Sequence, residues 1–363
     1  MSEIKIETIS QVHIGNGVFL QEGNDFIVED NNIDILSLDK LGSVIGTDET
    51  IIRQWLDAIN NGESGTFILN RVKDTPYTEY TKRRISCSLD ITQQSTLKEQ
   101  IHDGLGRPYI PGSSIKGAFR TAVMSTFANE DIEKRLNKED LQNWKKVIFG
   151  MENELLHFDA GERKKNSPCA DIFRYLSIGD AYFDKGVENV VRQVNLNITG
   201  QKTLLDNKKQ QLVETIRKGV CSQCRLKIAD DFYQKTGICD LQDFFELINN
   251  HTYQLICDEI EFWDKGEGAD YIGQDSYLDQ LDGILDVIDA CKANECVLRI
   301  GHASGWRFIT GAWLEKIDKV YFRKEIVPMC RRNNKIYEQY PFPKSRRIDN
   351  VSNVFGFVKL ISE

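Results

Sequence analysis

The sequence predicts an α+β chain with antiparallel sheets and additional helices, and three observations carry that prediction. β-branched and aromatic runs at Met1–Ile9, Ile172–Phe183 and Val187–Ile198 have the alternation and composition of strands. Apolar residues recur at offsets of three and four from Ile115 to Phe127, and helical patterning returns at Leu241–Trp263 and Tyr277–Ala293. One plan of strands, a helix and a glycine-bearing loop is used in each half, with a boundary expected near Gly200. Residues 1–200 are expected to form an N-terminal domain and residues 201–363 a C-terminal domain with a helical insertion.

In chain order, Ile4, Ile6 and Ile9 mark a first strand that runs into Val12-His13-Ile14-Gly15-Asn16-Gly17, read as a tight loop, with Phe26–Val28 as the returning strand. Ile33–Leu41 reads as a short extended or turn segment. Asp48 or Thr50 can cap a helix carrying Ile51, Ile52, Trp55, Leu56 and Ile59, which Asn60-Asn61-Gly62 stops. Thr66–Asn70 reads as a short apolar strand and Tyr77–Ser88 as a strand or arm of mixed aromatic and basic residues. Leu141–Phe149 reads as a helix and Glu162–Pro168 as a polar, basic loop. Ile172–Phe183 and Val187–Ile198, separated by Asp184-Lys185-Gly186, are the best strand pair in the chain. Helical patterning is also assigned to Asp206–Lys218. Cys296–Arg307 returns to strand and then a glycine-rich loop, and Val354–Ile361 is the final strand.

At 363 residues, 40% hydrophobic and 28% charged, the chain can bury a substantial core. A net charge of −9 excludes a protein that coats nucleic acid through bulk charge, yet leaves room for local basic clusters at Lys82-Arg83-Arg84, Arg163-Lys164-Lys165, Arg331-Arg332 and Lys344 with Arg346-Arg347. The sequence shows neither a signal peptide nor a membrane span, so a cytoplasmic location without membrane contact is expected. Nine scattered cysteines fit reduced thiols better than a disulfide framework.

The stretch around which the chain is read as organised is Tyr109–Ala122, YIPGSSIKGAFRTA. Ile110 and Pro111 bias the backbone towards extended geometry, Gly112 frees a turn, and Ser113 or Ser114 can cap the helix that follows. Its apolar face packs on a core and its other face carries Lys116 and Arg120, one turn apart. Two cations, serine hydroxyls and unpaired helix N–H groups suit phosphate oxygens. Gly117 is expected to mark a close approach by another backbone.

The second glycine loop, Gly301-His302-Ala303-Ser304-Gly305-Trp306-Arg307, has neither the spacing of a Walker loop nor that of a dinucleotide fingerprint. It can instead bring backbone close to a ligand or a neighbouring segment, with Trp306 and Arg307 placed to stack on a base and pair a phosphate, or it is a tight turn with a core tryptophan. Lys344, Arg346 and Arg347 beside Pro341 and Pro343 form an extended basic strip. His13 or His302 could act as acid or base on a ribose hydroxyl, although a structural histidine is the commoner outcome. Asp180 is read as capping a turn. Cys221 and Cys224 have zinc spacing, with Cys239 and His251 as further ligands, but only one close pair is present and no metal or other cofactor is assigned.

Taken together, YIPGSSIKGAFRTA resembles the signature of the RAMP superfamily of CRISPR proteins, and VHIGNG, LSIGDAYF, LRIGHASGW, YPFPKSRRI and FGFVKL resemble, in that order, the landmarks of its subgroup that caps the crRNA 3′ end in type III-A Csm complexes. The resemblance implies two ferredoxin-like (RRM-like) modules, with glycine loops gripping single-stranded crRNA. It implies partners in a backbone RAMP subunit and a small helical subunit, leaves open a host ribonuclease, and implies a non-catalytic subunit that supports crRNA maturation and antiviral defence. The residues that match the family's RNA-binding motifs are Gly112, Ser113, Ser114, Lys116 and Arg120, then Gly301, Gly305 and Trp306, then Lys344, Arg346 and Arg347. The rival reading is a metal-independent endoribonuclease that trims precursor crRNA with His13 or His302.

Overall fold

The computed structural model describes residues 2–91, 95–128, 150, 155–157, 170–199, 205–266, 268, 275–309, 313, 315, 320, 322–327, 337 and 339–363. The expected Leu141–Phe149 helix and Glu162–Pro168 loop lie outside them.

The first strand, β1 (Ser2–Thr8), buries Ile4, Ile6 and Thr8 on one face, as its alternation predicts. It lies at the centre of a five-stranded sheet, antiparallel to β12 (Cys221–Ile228) on one side and to β15 (Phe357–Ser362) on the other. Outside these stand β8 (Leu176–Ile178) on β12 and β13 (Glu295–Arg299) on β15. Two long helices pack with this sheet: α4 (Gly112–Phe127) and α6 (Leu241–Asp264), the latter capped by Asp240, whose carboxylate accepts from Gln242 N and Asp243 N. Ile115, Phe119, Ala122 and Val123 of α4 join the main core, where Phe119 meets Phe244 edge-on at 5.1 Å. The apolar face read from the sequence is the one buried.

Among the described residues a second sheet has eight strands in the order β2 (Gly15–Gln21), β6 (Thr96–Gln100), β11 (Leu205–Ile216), β10 (Glu188–Asn197), β5 (Thr81–Ser86), β4 (Asn32–Leu36) and β3 (Phe26–Glu29), with β14 (Ser345–Asp349) also on β10. One face buries Leu20, Ile33, Ile85, Leu97, Val190 and Leu212. The opposite face buries Val191 and Val213 under Ala303 and Phe355, so the C-terminal glycine loop sits against it. Helices α1 (Leu38–Ile45), α2 (Glu49–Asn61) and α3 (Ser64–Val72) flank β3 and β4, and α7 (Asp275–Asp289) packs on α6. Both sheets draw strands from either side of position 200. A short helix α5 (Asp230–Thr236) precedes α6, and β7 (Tyr109–Ile110) pairs with β9 (Ala181–Tyr182) in a small ribbon.

Several expectations hold: α2 begins at Asp48, which accepts from Thr50 N and Ile51 N, and ends at Gly62 in the left-handed region. Helices α6 and α7 and the strands β1, β13 and β15 stand close to where the periodicity put them. Others are corrected. Thr66–Asn70 is part of helix α3, burying Ile68 and Val72 four residues apart; a short apolar run cannot by itself distinguish the two periods. Asp206–Lys218 is not helical but mostly strand β11, paired to β10 over its length and buried on both faces at Leu212 and Val213. There the Lys, Gln and Glu helix formers are overruled by two flanking strands. The two strands expected to pair around Asp184-Lys185-Gly186 do not: Ile172–Tyr175 is a 3-10 turn, β8 pairs with β12, and β10 pairs with β11 and β14. Gly15–Gln21 is a strand rather than a tight loop, and Ile33–Leu41 splits between β4 and α1.

Candidate nucleic-acid interface

The first motif is built differently from the reading of its sequence. The helix α4 starts on Pro111 with no side-chain cap from Ser113 or Ser114; instead Asp180 Oδ1 accepts from Gly112 N at 2.8 Å. A carboxylate therefore sits on the helix N-terminus where a phosphate was expected. Lys116 Nζ donates to the Leu176 carbonyl at 2.8 Å, and Arg120 is held 2.5 Å from Asp171 Oδ2 with both side chains mostly covered. These two cations tie α4 to β8 and to the turn before it. Gly117 faces open space, and the close approach belongs to Gly112, whose Cβ would overlap the Ile178 carbonyl.

The basic strip of the tail is sorted by the pleat of β14. Arg346 points inward, 8% exposed, and its guanidinium forks onto Glu259 at 2.5 and 2.9 Å between the rings of Phe262 and Trp263. Glu259 also accepts from Arg307 at 2.6 Å, Trp263 Nε1 at 2.9 Å and Tyr277 OH at 3.1 Å. Burial pushes this carboxyl up, but Arg346 and Arg307 outweigh it and hold it at about 2. Arg346 and Arg307 are thus structural, which corrects their assignment as phosphate ligands. Trp306 packs against Phe322 and Phe342, at 6.1 and 5.4 Å between ring centroids, and so is not presented as a stacking platform. Arg347, next along β14, is exposed, and Lys344 is half-buried.

The second glycine loop approaches another backbone, as its glycines suggested. Gly301 has φ 73° and leaves no room for a Cβ beside the His13 carbonyl, which accepts from His302 N at 2.9 Å. Gly305, at φ 83°, borders open space. His13 and His302 meet edge-on at 5.4 Å. His13 is 2% exposed and donates through Nδ1 to the Glu214 carbonyl at 2.7 Å; His302 Nε2 donates to Gln193 Oε1 at 2.6 Å. Burial lowers both, His13 to about 4 and His302, with help from Lys98, His13 and Arg347, to about 3. Both are neutral at pH 7, and they lock the loop to the sheet.

Sequence reasoning missed a polar cluster and an exposed surface on this sheet. Arg83 bridges Glu99 at 3.0 Å and Glu214 at 2.9 Å, while His102 Nε2 lies 3.0 Å from Glu188. Glu99, His102 and Glu214 bring their ligand atoms within 4.8 Å of one another, but the Arg83 guanidinium already supplies the positive charge a metal would bring. Zinc at Cys221 and Cys224 is disfavoured by geometry: three residues apart on β12, they lie on opposite faces, one exposed and one buried. The described cysteines carry free thiols. The surface comprises Phe19, half-buried Lys98 and Arg347; Arg347 is legible in the basic strip of the tail, whereas Phe19 leaves no trace beyond its place just after Asn16-Gly17 and Lys98 leaves none.

The chain thus combines mixed sheets and helices, with a glycine loop folded onto its larger sheet. Residues 5–308 match the RAMP superfamily, and the chain belongs to that family. It is 26% identical over 343 residues, 89% of this chain and 76% of the relative, to the CRISPR system Cms protein Csm5 of Methanocaldococcus jannaschii. It is also 26% identical over 146 residues, 37% and 41% of the two chains, to Csm5 of Streptococcus thermophilus. Its fold is shared with a chain in the cryo-EM structure of a Csm–crRNA–target RNA ternary complex of a type III-A CRISPR-Cas system, at TM-score 0.72, 19% identity and 100% of both chains. The crystal structure of T. onnurineus Csm5 superposes at TM-score 0.66 and 17% identity, over 98% of this chain and 99% of that one. No helix among the described residues is long and apolar enough to cross a membrane.

Proposed function

We propose that this chain is an RNA-binding subunit of a type III-A CRISPR effector complex, holding the 3′ end of single-stranded crRNA and supporting its maturation. The observation that carries the reading is the split of the tail motif. Arg346 is consumed by Glu259, while Arg347 is left exposed near Lys98 and His302 of the loop that begins at Gly301. Of the motif residues, Gly305, Lys344 and Arg347 remain for RNA; Gly112, Lys116, Arg120, Gly301, Trp306 and Arg346 hold the fold, and Ser113 and Ser114 have no cap to make. Supporting it are the relatives named Csm5 and the fold shared with a chain of a crRNA-containing complex.

One ferredoxin-like module of this reading is the β1, α4, β8, β12, α6, β15 series, a β-α-β-β-α-β unit whose strands lie β15-β1-β12-β8. The larger sheet takes the place of the second. Partners in the assembly are the backbone RAMP subunit and the small helical subunit, with a host ribonuclease as a candidate for the trimming step. The tagged chain, purified from its host, will carry with it a ladder of RAMP subunits and short RNAs of phased length; purification without either refutes the assignment. The rival nuclease reading loses its acid or base because His13 is buried and both imidazoles are engaged. Cleavage of labelled precursor RNA in EDTA to 2′,3′-cyclic phosphate ends, abolished by His13→Ala, would restore it.

A further inference from the structure

The larger sheet ends at β2, and β2 is irregular. Gly15 pairs with Gln100 and Phe19 with Lys98, so four residues of β2 span two of β6. Asn16 braces this bulge, donating to Glu99 Oε2 at 2.7 Å and accepting from Val18 N at 2.9 Å. A bulge re-aims the side chains that follow it. Leu20 goes into the core, and Phe19, on the other face, is left 54% exposed on an edge strand.

Lys98 Nζ stands 5.6 Å from the Phe19 ring centroid. Its ammonium is lowered by burial and then by the nearby Arg347, and neither cation has a carboxylate ion pair among the described residues. Two cations without a carboxylate partner among the described residues, one of them over an exposed ring, call for an anion joined to a flat apolar group. A nucleotide of single-stranded RNA has that composition, since every base offers a π-face and every link a phosphate. An acidic peptide would match the charge and leave the ring uncovered.

We infer that Phe19, Lys98 and Arg347 form a subsite for one nucleotide of single-stranded RNA, the base stacking on Phe19 and the phosphate held by Lys98 and Arg347. The inference rests on the RNA-binding reading above and adds a position to it. The bulge fixes where the base lies; the pairing of β6 with β2 and of β14 with β10 sets the two cations.

The test measures binding of the full chain to a labelled oligouridine and to an abasic strand of the same length across a salt series, with Lys82→Gln on β5 as an exposed control. Phe19→Ala will weaken oligouridine binding roughly tenfold and leave the abasic strand unchanged. Lys98→Gln with Arg347→Gln will reduce the magnitude of the salt slope by about 0.7 on both strands, with the control unchanged. Unaltered thermal midpoints will show that the variants fold. Wild-type affinity of Phe19→Ala for oligouridine, or an unchanged slope in the double variant, overturns the subsite while RNA binding stands. A wild-type chain that binds neither strand overturns the RNA-binding reading itself. Variants that bind RNA normally but no longer join the purified assembly would make this a protein interface and overturn the subsite.

Discussion

Arg346 and Arg347 are adjacent in sequence and opposite in role, and replacing each with methionine separates the two. At Arg346, methionine keeps the stem packed on Phe262 and Trp263 but removes the guanidinium that forks onto the buried Glu259. Breaking a buried pair costs about 3–5 kcal/mol; because Arg307, Trp263 and Tyr277 remain on Glu259, the lower end, about 3 kcal/mol, applies. For 363 residues an unfolding entropy of roughly 0.8 kcal/mol/K follows from the usual per-residue value, so the melting temperature falls by about 4 °C. Arg347→Met leaves stability within about 0.5 kcal/mol, as at other exposed positions, but reduces the magnitude of the salt slope of RNA binding by about half of the roughly 0.7 expected when Lys98 and Arg347 are both lost. Calorimetry and anisotropy titrations at several salt concentrations read the two effects. An Arg346→Met chain that melts like wild type while losing the salt-dependent component would refute the structural role. The folded carboxyl of Glu259 lies at about 2, below its ordinary 4.5. Its contribution is therefore full above pH 4.5 and is lost as the pH falls through 2.

Acid weakens the chain at higher pH by a separate route. With His13 at about 4 and His302 at about 3 against 6.5 when unfolded, the unfolded state takes up protons first. Stability is full above pH 6.5 and falls by up to about 1.4 kcal/mol per pH unit for each histidine as the pH drops towards 4. Urea titrations between pH 7 and 4.5 measure this, and a His302→Asn variant should show a shallower dependence. Gly112→Ala will destabilise because the Ile178 carbonyl occupies the Cβ position, while Gly117→Ala, facing open space in mid-helix, will stabilise by up to about 1 kcal/mol; equal effects in thermal melts would contradict this placement. Arg120→Gln will lower the melting temperature through loss of the Asp171 pair and leave the RNA salt slope as it was; a reduced slope would return Arg120 to the RNA surface.

What the sequence determined by itself was whatever depends on neighbours along the chain: the buried stripe of α4, the caps of α2, the helices α6 and α7, the alternation of β1, and a glycine at Gly301 that lets two backbones meet. Family membership was legible for the same reason, since the motifs are local and ordered. Only the tertiary structure decided which cations are available. Lys116, Arg120 and Arg346 are matched by Leu176, Asp171 and Glu259, 60, 51 and 87 residues away, and a charge whose partner lies that far along the chain reads as free. The same distance hid Phe19 and Lys98, brought together by the pairing of β2 with β6, and hid the strand character of β11, set by β10 and β6 on either side. Hydrophobic period is a property of a segment, whereas the matching of charges and the choice of strand partners belong to the folded whole.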